Sequence, residues 1–72
     1  MTHEPAQVRA LDTLARHHVA DPATLSELAT LFTRTRSRAV QKAIAEVYLR
    51  AGREALSGAP PALAETVRRL SS

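Results

Sequence analysis

The chain nearly repeats itself, and that constrains its fold more than any other feature. Val8-Arg9-Ala10-Leu11-Asp12-Thr13-Leu14 returns as Gln41-Lys42-Ala43-Ile44-Ala45-Glu46-Val47, 33 positions later, and Ala20-Asp21-Pro22-Ala23 returns as Ala59-Pro60-Pro61-Ala62, 39 positions later. Two helix types, interleaved and each seen twice, are the pattern of a helical repeat array, in which each unit buries its apolar face only by stacking on a neighbour. The larger second offset implies a short insertion before the last helix.

At 72 residues the chain has room for a single domain (1–72) with one small core. It has no cysteine to supply a disulfide and no Cys/His set at zinc spacing, so stability is expected from helix packing or from neighbouring repeats. The lack of cysteine leaves the redox compartment, and with it the localisation, open. Aromatics are limited to Phe32 and Tyr48, and alanine does much of the apolar work. No run of about 18 apolar residues is present, so membrane insertion is not expected. Met1-Thr2-His3-Glu4-Pro5 lacks the basic and then apolar order of a signal peptide. The net charge of +3 permits an acidic partner without demanding nucleic acid.

Hydrophobic spacing and capping signals predict about four helices and no strand, an all-α fold. The first is expected from about Pro5 to His18, with Val8, Leu11, Leu14, Ala15 and His18 on its buried stripe. Asp21-Pro22 is the clearest boundary: a carboxylate to accept from free N–H groups, then proline where its missing N–H costs nothing. The second helix carries Leu25, Leu28, Ala29, Leu31 and Phe32. Ser37 is placed to cap a third, whose wide face of Ala39, Val40, Ala43, Ile44, Val47, Tyr48 and Ala51 suits the most buried element. Gly52 can end that helix in a left-handed conformation, or the helix can run on to Leu56 at a cost of about 1 kcal/mol. The last helix restarts at Pro61, with Leu63, Val67 and Leu70 inward and Glu65, Arg68 and Arg69 outward.

Asp21-Pro22 opening a Leu-x-x-Leu helix, a short turn, and then Val40-Gln41-Lys42-Ala43-Ile44 resembles the HEAT repeat family and its bacterial HEAT-like relatives; Val8-Arg9-Ala10-Leu11 is similar to the family's second-helix run. The resemblance covers about residues 5–71. It implies antiparallel helical hairpins in a right-handed superhelical stack, and a terminal fragment of a larger array. It also implies a non-catalytic scaffold that binds protein partners or neighbouring repeats, and it transfers no catalytic residue or cofactor. Ala45-x-x-Tyr48-x-x-x-Gly52 resembles part of the tetratricopeptide repeat, from which Pro60-Pro61 departs. On the HEAT-like reading the first helix lacks a mate, so some of Val8, Leu11, Leu14 and Val19 are expected to face solvent.

Arg34, Arg36, Arg38 and Lys42 form the densest charge cluster, interleaved with Thr33, Thr35 and Ser37 at a helix N-terminus. Guanidinium forks, hydroxyls and free N–H groups together are the chemistry that holds a phosphate or an acidic peptide. An exposed inter-helix turn is also charged simply to stay solvated. The alternative function, a nucleic-acid-binding module, uses a helix-turn-helix-like segment around residues 24–47 that offers Arg36, Arg38, Gln41 and Lys42 to phosphates and bases. It lacks the turn's usual glycine, where Thr33 stands, and its apolar plug, where Arg34 stands. His17 and His18 point about 100° apart on a helix and cannot share one metal ion, so one is expected to face the stack and the other water. Asp12 and Glu46 fall on outward faces and no glycine-rich phosphate loop is present, so no enzyme activity is expected.

Overall fold

In a computed structural model, residues 4–18 and 21–71 are described, and they form helices joined by turns with no strand among them. The order is α1 (Glu4–Arg16), α2 (Pro22–Arg34), α3 (Arg38–Ala51), α4 (Arg53–Leu56) and α5 (Pro61–Ser71). The fold is all-α as the sequence predicts, but with five helices rather than four.

The local signals set the boundaries. Asp21 stands extended before α2, and its Oδ2 accepts from the Thr24 backbone N–H at 3.1 Å and from the Thr24 hydroxyl at 3.2 Å. Ser37 does the same for α3, its Oγ accepting from the Val40 N–H at 3.3 Å. Each cap satisfies a donor that has no intrahelical partner, an arrangement worth about 1 kcal/mol. Pro22 and Pro61 both occupy the first helical position.

Two terminations differ from expectation. α1 ends at Arg16, two residues early, because His18 takes a positive φ of 52° and donates its N–H to the Ala15 carbonyl at 3.1 Å. That left-handed residue lifts both His17 and His18 into solvent, so His18 does not belong to the buried stripe and neither histidine faces the core. Gly52 stops α3, but with φ 106° and ψ 173° rather than the compact left-handed geometry. Only glycine occupies that extended, positive-φ region without strain. The chain therefore turns sharply and forms the single-turn α4 instead of continuing α3.

The core sits on α3, which supplies Val40, Ala43, Ile44, Ala45, Val47 and Tyr48 to it. Every substantial inter-helix packing among the described elements involves α3, most extensively with α1 and then with α5. Being covered on several sides, α3 buries Ala45 as well as the residues on its predicted face, whereas Ala39 stays exposed. Leu11 and Ala15 enter the core from α1, Leu25, Leu28 and Phe32 from α2, and Leu63 and Val67 from α5. Of the residues expected to leave a strip of α1 open, Leu11 is buried, and Val8 and Leu14 are half-buried against the core. Val19 and His3 lie outside the described residues. The radius of gyration, 11.0 Å, matches the ~11 Å of a compact chain this long.

Candidate functional site

The four cations picked out by the sequence bracket the turn between α2 and α3. Arg34 is the last residue of α2, Arg36 lies in the three-residue turn, Arg38 opens α3, and Lys42 follows one turn later on the same face. All four are exposed. Neither of the two ion pairs among the described residues, Asp12–Arg16 at 3.3 Å and Glu65–Arg69 at 3.0 Å, involves them.

The polar groups between these cations are spent on holding the turn together. The Thr33 hydroxyl donates to the Thr30 carbonyl at 2.8 Å. Thr35 Oγ1 accepts from the Ser37 N–H at 3.2 Å, and Ser37 Oγ is the α3 cap. Gln41, offered to bases on the helix-turn-helix reading, instead donates through Nε2 to the Thr35 carbonyl at 3.3 Å and is half-buried. The basic turn is thus a stitched, solvated corner with its charges outward.

The path of the hairpin bears on the same question. The Tyr48 hydroxyl donates to the Leu25 carbonyl, a buried bond between residues 23 positions apart. At about 1.5 Å rise per residue, each of the two lies roughly 15 Å along its helix from the turn. The bond therefore brings the far part of α3 back onto the first turn of α2. Burial also pushes the Tyr48 hydroxyl above its ordinary pKa of 10.0, because a phenolate there would lose its hydration.

At the end of α3 away from the basic turn, the surface is open, and on the α5 side it is largely apolar. Two grooves lie on either side of α4, and Tyr48 lines both. One, of about 520 Å³, runs between Leu25 and Ala29 of α2 and Ala51 and Ala55, with Glu54 at its edge. The other, of about 490 Å³, is formed by Leu49, Leu56 and Val67 with Arg53 and Arg68. Leu49, at 39% exposure, is the large hydrophobic residue left open to solvent among those described. Sequence spacing places most of these residues on helix faces but carries no expectation that they form grooves, and it does not single out Leu49 or Arg53. The available signal was Leu49 itself, a leucine standing off the α3 stripe, a few residues before a glycine.

Among the described residues, no group of three His, Cys, Asp or Glu side chains could hold a metal ion, and no helix is long and apolar enough to cross a membrane. No family model matches the chain, and neither a curated protein nor a solved structure shows significant similarity to it.

Proposed function

We propose that this chain is a non-catalytic helical-repeat scaffold that binds protein, its helices forming a HEAT-like stack with α3 at the centre. The observation that carries the reading is the open apolar surface around Leu49 at the α4 end of the hairpin. A single exposed leucine is ordinary on a protein surface; what favours association here is that Leu49 borders a trough that half-buried Leu56 also lines, so a partner covering one covers the other.

The repeat supports the scaffold part. Positions 33 apart match in burial at Leu11 and Ile44 and at Ala15 and Tyr48, so α1 and α3 turn equivalent faces inward. Positions 39 apart match at Pro22 and Pro61, which open their helices, and at Leu28 and Val67, which are both buried. Helices of equivalent register meeting across a shared central helix suit a stacked array.

Two measurements test the function. The first is affinity capture with the intact chain, followed by titration of each captured protein, purified, against the chain. Saturable binding that survives Arg34→Gln, Arg36→Gln and Arg38→Gln is expected. The second is titration with duplex DNA and with RNA at about 50 and 200 mM salt, where four real phosphate contacts would weaken affinity about 100-fold. Such salt-steep binding, lost when those arginines are neutralised, together with no saturable protein binder, would replace the scaffold reading with the nucleic-acid one.

A further inference from the structure

We propose that the trough between the C-terminal end of α3, α4 and α5 docks an acidic amphipathic segment of a partner protein. An apolar side chain of that segment seats on Leu49, Leu56 and Val67, and a carboxylate pairs with Arg53. This rests on the protein-binding reading above and names where the partner sits and what chemistry it carries.

The apolar floor sets the first requirement. Leu49 is 39% exposed and Leu56 half-buried, while Val67 closes the base. Phosphates and sugars cannot cover such a surface favourably, whereas leucine- or phenylalanine-sized side chains can. The trough's volume of about 490 Å³ falls within the range of about 300–1,000 Å³ typical of binding clefts.

The charge sets the second requirement. Arg53 lines this trough and, among the described residues, no carboxylate does. The carboxylate of α4, Glu54, lines the opposite groove instead. This division follows from helix geometry, since consecutive residues of α4 point about 100° apart, and from the turn at Gly52 that sets α4 across the end of α3. Arg53 is exposed and belongs to neither ion pair of the described residues, so its fork can take a carboxylate in two parallel hydrogen bonds. The overall charge of +3 adds long-range attraction for an acidic partner. A segment presenting apolar anchors on one face, flanked by Asp or Glu, meets both requirements in the helix-in-groove manner.

The test is to pan a displayed library of random short peptides on the intact chain and titrate the enriched peptides against three proteins: the parent, Leu49→Gln and Arg53→Glu. Circular dichroism of each variant verifies that the helices persist. The expected result is enrichment of peptides that combine Leu or Phe with Asp or Glu. Their affinity should fall at least tenfold for either variant, and it should weaken as salt is raised. Enriched peptides without acidic residues, or equally bound by both variants, would overturn the docking site while leaving protein binding elsewhere on the chain intact. The proposal equally fails if no peptide is enriched, or if sedimentation shows a dimer that Leu49→Gln dissociates, since a second copy would then be the occupant.

Discussion

The two ends of the α2–α3 hairpin are built from opposite materials. At the turn, backbone and side-chain groups of Leu31, Thr35, Ser37, Val40 and Gln41 bond one another across a few residues, and the cations stand outward in water. At the far end one long-range bond, from Tyr48 to Leu25, ties the helices, and apolar surface around it stays open in two grooves. The end with the denser charge is the more finished piece of structure. The quieter end, in sequence terms, has unburied area still to cover. On the protein-binding reading proposed above, incomplete burial and not charge density marks the contact surface.

Disturbing the shared support beneath both ends should have the largest effect. Ile44 has no exposure, so Ile44→Ala removes buried methylenes and leaves a cavity; a loss of about 2–5 kcal/mol in urea denaturation is expected. That is comparable with the whole stability of a small domain, and a loss under about 1 kcal/mol would contradict the central place of α3. Gly52→Ala separates the ends. A Cβ there meets nothing within 4 Å, so its cost is backbone strain alone, about 1–3 kcal/mol, and amide chemical shifts should move around α4 while those of the basic turn stay put.

Tyr48→Phe removes the one long-range tie at the cost of about 0.5–1.5 kcal/mol. It should also change the pH dependence. Because the folded-state pKa of the hydroxyl is raised above 10.0, its contribution is complete below pH 10 and is lost as pH climbs from there toward the raised value. The parent should lose more stability than the phenylalanine variant over that alkaline window, and parallel curves would show that the hydroxyl is not buried. Arg36→Gln combined with Arg38→Gln should have the smallest effect, shifting stability by no more than about 0.5 kcal/mol, as exposed positions do. A larger change would mean that the outward charges help hold the turn.

The parts of the fold legible in sequence were those set by short-range chemistry or strict period. Asp21 and Ser37 cap their helices through bonds to residues only three positions on, and Ile44, Val47 and Phe32 lie inside because the 3.6 period requires it. What escaped depended on single backbone angles or on neighbours distant in sequence. His18 has a side chain compatible with the stripe, and only its left-handed φ sends it outward. Arg53-Glu54-Ala55-Leu56 has helical propensity whether joined to α3 or separate, so the break rests on Gly52, whose extended ψ no spacing argument reveals. Ala45 is buried because several helices close around α3, a fact about packing and not about pattern. The candidate cations were found where expected, on the surface of the turn, but the bonds that occupy Thr35, Ser37 and Gln41 belong to the folded corner. The groove at Leu49 had no composition signal, since it is made by the reversal at Gly52.

The bond from Tyr48 to Leu25 also gives the molecule a built-in optical reporter. The chain has one tyrosine and no tryptophan, so its near-ultraviolet absorption and emission arise chiefly from this ring. A phenol hydrogen-bonded to a peptide carbonyl in an apolar setting emits differently from one in water. Any process that parts the far end of the hairpin should therefore appear in the intrinsic fluorescence without an attached dye. Occupation of either groove should reach the same ring, because Tyr48 forms part of the wall of both.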